Sequence, residues 1–154
     1  MALNFIKPIF GLALLALSFT NSPAFAEANR VTLPDISQLE HFSTVRRGEI
    51  TEHMMTTREA IGAVKRGEPM PDGTHVVLVD YRSGEIYRYF VMQKGGDWGQ
   101  DYAEADRTGD WQFQWFWGNG QINMDENTQR CRSCHASQAD NRYMFTYDDL
   151  LDFE

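Results

Sequence analysis

The sequence predicts a mainly β protein of the α+β class, an antiparallel sheet with a few short helices, the last of them near the C-terminus. Three observations carry this expectation. "HVVLVDY" and "EIYRYFVMQ" are β-branched and aromatic runs joined by "RSGE", the pattern of a β-hairpin. "DWQFQWFW" alternates, with Trp111, Phe113, Trp115 and Trp117 on one face and Gln112 and Gln114 on the other, and reads as a further strand. Helical signals are confined to short stretches before and after these three strands.

In chain order, Lys7 precedes the apolar run "IFGLALLALSF", and the small-residue site "AFA" closes it at Ala26. That is the pattern of a secretory signal over residues 1–26, with an uncleaved anchor as the alternative. Residues 27–154 are then expected to form one domain, exported to the periplasm. "EANRVTLPDIS" reads as a short linker, and "QLEHFSTVRRGEI" as a helix or irregular segment. A clearer helix follows over 57–66. Thr56 and Glu59 suggest a capping box, Ala60, Ile61 and Val64 an apolar face, and Lys65 and Arg66 before Gly67 a stop. "EPMPDGT" makes the turn into the hairpin, "GNGQ" ends the third strand, and a last piece begins at "YMFTYDDL".

From position 27 onward the chain has 13 basic and 22 acidic residues, a formal charge of −9. Nucleic acid and anionic lipid would be repelled by such a surface, so neither is an expected partner, and no membrane association is expected once the signal is removed. The balance suits a soluble protein that meets a small ligand or a basic partner. A redox partner protein and a homodimer stay open.

The chemistry is concentrated in "CRSCH", which contains both cysteines of the chain, Cys131 and Cys134, followed directly by His135. A thioredoxin-like C-x-x-C needs a strand immediately before it, and "GNGQINMDENTQR" is polar loop. A structural zinc site needs four ligands, and there is no second cysteine pair. A disulfide between residues three apart constrains little chain. Covalent haem attachment employs all three residues, two thiols as thioethers and the histidine as proximal iron ligand. One covalently attached haem c is therefore the expected cofactor, bound by Cys131 and Cys134 and ligated by His135.

The chain resembles the cytochrome P-460 and cytochrome c′-beta group of exported haem proteins. The likeness rests on "HFSTVRRGEI", on "GEPMPDGT" after a helix, on "GDWQFQWF" in a later strand, and on "CRSCH" followed by an acidic residue and "YMFT". It implies a mostly antiparallel β fold, one c-type haem, and binding or oxidation of small nitrogen species such as nitric oxide or hydroxylamine. Hydroxylamine-oxidising members carry a cross-linked lysine in the strand after the PDGT-like turn. Here Val76 to Tyr81 contains none, and beyond the signal the chain has only Lys65 and Lys94. The likeness is thus nearer the c′-beta branch, with an apolar distal side open to diatomic gases.

Phe42, Phe90, Trp111, Phe113 and Trp115 are the candidates for that apolar wall. A filled sixth position would instead use His41, His53, His75 or a methionine among Met54, Met55, Met70, Met92, Met124 and Met144, making an electron carrier. An oxidase would need a carboxylate base, for which Glu104 and Asp106 are candidates. Arg130 and Arg132 flank the thiols and could meet a haem carboxylate.

Overall fold

The computed structural model describes residues 29–154. Five strands pair in chain order into one antiparallel sheet: β1 (Glu40–Arg47), β2 (Ile50–Thr56), β3 (His75–Arg82), β4 (Glu85–Lys94) and β5 (Trp111–Trp117). Three short helices accompany it, α1 (Arg58–Lys65), α2 (Gln129–His135) and α3 (Tyr147–Asp152). The mainly β, α+β class read from the sequence is the class the chain adopts. The signal-peptide reading of residues 1–26 lies outside the described residues. Among the described residues no helix is long and apolar enough to cross a membrane.

The hairpin of β3 and β4 turns at Ser83 and Gly84, with φ of 51° and 82°. Both are left-handed, as a two-residue type I′ turn requires. The segment from Gln38 to Ile50 corrects the sequence reading: it contributes β1 and the start of β2, a second hairpin reversing at Gly48 with φ of 61°. β1 is an edge strand whose only buried side chain is Phe42. β2 carries Glu52 among its inward residues. Neither strand shows clean apolar alternation, so pairing within the sheet decides their conformation rather than local pattern.

The cap of α1 is a second correction. Thr57, not Thr56, is the N-cap, and its hydroxyl accepts the Ala60 N–H at 3.2 Å. Thr56 ends β2, fully buried, and donates its hydroxyl proton to the His75 carbonyl at 2.7 Å. The helix stops at the expected glycine. Gly67 has φ of 72°, its N–H bonds the Val64 carbonyl, and the Glu68 N–H bonds the Ala63 carbonyl, both at 2.9 Å. That pair of bonds is a Schellman stop.

Strand parity sorts the side chains into two layers. On one face Met54, Val76, Met92, Trp111 and Phe113 pack with Ile61 and Val64 of α1 and Leu150 of α3. On the other, Val77, Val79, Tyr89, Val91 and Phe116 are covered by Val31, Leu33, Ile36 and Leu39. Residues 29–39 are therefore no free linker. Asn29 donates its side-chain amide to the Phe113 carbonyl at 2.6 Å, and the backbone N–H groups of Arg30 and Thr32 donate to the Gln112 and Gln93 side chains at 2.9 Å each.

Leu150 is completely buried where α3 rests on α1 and β1. Leu150→Ala should lower the unfolding free energy by about 3 kcal/mol in a denaturant titration, the usual cost of a buried leucine cavity. Ile86→Ala, on a side chain 38 % exposed, should cost less than about 0.5 kcal/mol.

Candidate functional site

Helix α2 carries the cysteine pair and the histidine. The Asn127 side chain accepts the Gln129 N–H at 3.0 Å at its start. The buried Arg132 holds the helix against the loop after β4, its guanidinium carbon 3.9 Å from the centre of the Tyr102 ring. With Arg132 turned inward there, Cys131 is partly buried and Cys134 is exposed. His135, at the last turn, lies against β5.

The His135 ring is fixed from three sides. Its centroid lies 4.7 Å from that of Phe113 and 5.2 Å from that of Phe145, the latter edge-on. Its Nδ1 stands 2.6 Å from the Tyr143 carbonyl oxygen. A carbonyl can only accept, so Nδ1 carries the proton and Nε2 keeps its lone pair. The carbonyl reaches this position because Arg142 and Tyr143 are both left-handed, with φ of 55° and 65°. Such geometry is uncommon for residues with side chains and is held by surrounding contacts. One contact is Arg142, which donates to the Gly67 carbonyl at 3.0 Å and also to the Glu68 carbonyl, tying the loop to the end of α1. Burial lowers the His135 pKa, although the Tyr143 hydrogen bond works in the opposite direction. The imidazole is therefore a neutral base at pH 7.

Cys131, Cys134 and His135 open onto a cavity of about 590 Å³ between α2 and the sheet. Across it, the sheet presents Val45, Met54, Leu78, Phe90 and Met92, and one end is charged, with Arg47, Glu52 and Arg88. These positions share one face by register: Val45 pairs with Glu52, Met54 with Leu78, Leu78 with Phe90, and Met92 with Phe113.

The residues singled out in the sequence fall into distinct groups. Phe90 and Phe113 line the cavity, with Phe113 beside His135. Phe42 and Trp111 belong to the core under α1 and α3 and do not line it. Trp115 lies between Phe90 and Trp117, with ring centroids 5.6 and 5.0 Å away and the rings tilted, on the same face of β5 as Phe113, but does not line the cavity. The three other histidines are on the opposite face of the sheet or at its rim. His41 and His53 stack on each other at 4.3 Å, His53 meets Tyr81, and His75 stands 3.2 Å from the Thr32 hydroxyl. Among the methionines, Met54, Met92 and Met144 line the cavity, whereas Met55, Met70 and Met124 do not. Glu104 and Asp106 form a short turn away from the cavity. Arg130 lines it and pairs with Glu126 at 2.9 Å. The sequence reading missed Glu52, Arg47 and Arg88. A buried-side charge in the alternation of "TEHMMT" is the signal that could have found Glu52.

A family model described as Cytochrome P460 matches residues 36–146. No curated protein matches the chain. The chain belongs to the cytochrome P460 family and is by that membership a haem-binding cytochrome. Its residues fit such a group. A neutral imidazole with a free Nε2, two thiols on the same helix and an apolar opposing wall are the donors and surroundings that a haem requires. The competing readings of the motif fit less well. A redox C-x-x-C lowers the pKa of its attacking thiol, whereas burial pushes the Cys131 thiol up to about 11. Among the described residues no three His, Cys, Asp or Glu side chains are grouped to hold a metal ion.

Thiol reactivity follows from the same surroundings. At pH 8 a thiol of pKa about 11 is about one thousandth thiolate, and only the thiolate alkylates. In haem-free protein, iodoacetamide should label Cys134 at least about tenfold faster than Cys131, read by peptide mass spectrometry.

Proposed function

We propose that this member of the cytochrome P460 family carries one haem c, attached through Cys131 and Cys134 with His135 as proximal ligand, and binds a neutral diatomic, nitric oxide first, on the sheet side. The bound group supplies an iron centre able to take a small axial ligand and to exchange an electron. The chain's own residues do the rest. The Tyr143 carbonyl holds the His135 proton at Nδ1, so Nε2 is the donor nitrogen. The two thiols, three residues apart on α2, would hold the group covalently.

The observation that carries the gas-binding part of the reading is the parity of the sheet. Val45, Met54, Leu78 and Phe90 face the cavity, while His53 and His75 alternate to the other side. Val45, Leu78 and Phe90 offer water no hydrogen bond, so they exclude it and leave a neutral diatomic the better competitor. Neither lysine reaches the cavity: Lys65 donates to the Phe153 carbonyl and Lys94 pairs with Asp72. That supports ligand binding over the lysine-linked oxidation of hydroxylamine. The Lys7 to Ala26 pattern supports a periplasmic setting for the same role.

One observation favours a second reading. Met54 and Met92 lie on the cavity wall, and a methionine sulfur in the sixth position would make the chain an electron carrier. One measurement tests the haem attachment that both readings share, and a second decides between them. The haem should stay with the polypeptide under denaturing mass spectrometry and be lost in C131S/C134S. The absorption spectrum of the reduced holoprotein should change on addition of nitric oxide, and M54L and M92L should leave the gas-free spectrum as it is. A spectrum indifferent to nitric oxide, converted to a gas-sensitive one by M54L or M92L, would establish the electron carrier instead.

A further inference from the structure

The charged end of the cavity is built on two buried carboxylates. Glu52 and Asp80 are register partners on β2 and β3, and they are 6 % and 0 % exposed. Like charges side by side in a sheet repel, and burial raises the cost unless each is paired. Arg88 Nε donates to Asp80 at 2.7 Å, Arg82 approaches the same oxygen at 3.3 Å, and Arg47 stands 3.1 Å from Glu52. The Glu52 contact is off the hydrogen-bonding axis, and that buried oxygen has no hydrogen bond. Three arginines against two carboxylates leave the cluster one positive charge in excess.

Arg88 is held in a particular pose. Its guanidinium carbon lies 4.5 Å from the centre of the Phe90 ring and 4.7 Å from that of Trp115, so it stacks along the aromatic stripe. Its Nε is engaged by Asp80, and its two terminal nitrogens make no hydrogen bond to any described residue. Both Arg88 and Arg47 line the cavity that Cys131, Cys134 and His135 open onto. Arg88 is four residues along β4 from Met92, the register partner of Phe113 under His135. That is about 13 Å at about 3.3 Å per residue.

We propose that Arg88 and Arg47 form a carboxylate seat for the two propionates of the haem. The inference rests on the haem reading above. A haem attached through Cys131 and Cys134 would need its carboxylates met away from α2, and these two guanidiniums line the sheet side of that cavity. Guanidinium and carboxylate match in geometry, and Arg88, held by the buried Asp80, loses little entropy on binding, whereas Arg47 is a more exposed partner beside it. Arg130 and Arg132 do not serve this purpose. Arg130 stands at the thiol end paired with Glu126, and Arg132 is turned under Tyr102. The same chemistry would hold a small oxyanion such as nitrite, so the test separates the two sources.

The readout is the propionate-bending band in the resonance Raman spectrum of the purified holoprotein. It should move to lower frequency in R88Q and in R47Q, and stay in place in R82Q, which removes a cation outside the cavity lining. Because R88Q leaves Asp80 buried with one partner, D80N/R88Q is measured beside it and should show the same shift. An unmoved band in all four haem-loaded variants overturns the seat and leaves the haem reading intact. A saturable nitrite response that R88Q abolishes, with the propionate band unmoved, assigns the arginines to an exogenous anion and also overturns it. A wild-type chain that takes up no haem removes the parent reading and this inference together.

Discussion

The hydrogen bond between His135 Nδ1 and the Tyr143 carbonyl is the constraint on which the site depends. It determines which ring nitrogen keeps a lone pair and where that lone pair points. Side-chain chemistry alone could not do this, because an imidazole between two phenyl rings would be free to flip. The carbonyl is delivered by two successive left-handed residues, Arg142 and Tyr143, and that conformation is held by Arg142 reaching back to the end of α1. The Schellman stop at Gly67 and the orientation of the histidine are thus parts of one arrangement. A change at the end of α1 would be felt at His135 without touching it.

The second constraint is the period of two. A strand that turns one residue toward the cavity turns the next away, so the register of five strands sorts the candidate axial ligands without further design. Met54 faces the cavity and His53 does not. A slip of one residue in β2 would bring His53 inward and turn Met54 out. Glu52 and Asp80 point to the cavity face for the same reason, and the cost of burying them is offset by Arg47 beside Glu52 and by Arg88, which Asp80 holds on the cavity wall.

Much of this was legible in the sequence where local chemistry is self-sufficient. The β3–β4 hairpin is marked by its turn residues, β5 by its alternation, the stop of α1 by Gly67, and the thiol and histidine cluster by spacing alone. The rest depends on contacts between distant residues. β1 has one buried side chain and β2 a buried acid, so both take their conformation from pairing. Thr56 and Thr57 are equally good caps as residue types, and only the bond from Thr56 to His75 shows which one the strand has claimed. Phe42, Trp111 and Phe90 look alike as aromatic residues. The helices cover the first two and leave the third facing the cavity. The charged end was hidden because an arginine near a carboxylate is ordinary on any surface, and only the fold makes Asp80 fully buried.

In the proposed holoprotein His135 is the sole strong axial ligand, opposed by the apolar wall of the sheet. The spin state of the reduced, gas-free holoprotein tests this arrangement most directly, by magnetic circular dichroism and the Raman core-size bands. A five-coordinate, high-spin iron is expected. A six-coordinate, low-spin iron would contradict it, because a side chain would then occupy the position that the parity of the sheet is argued to leave open.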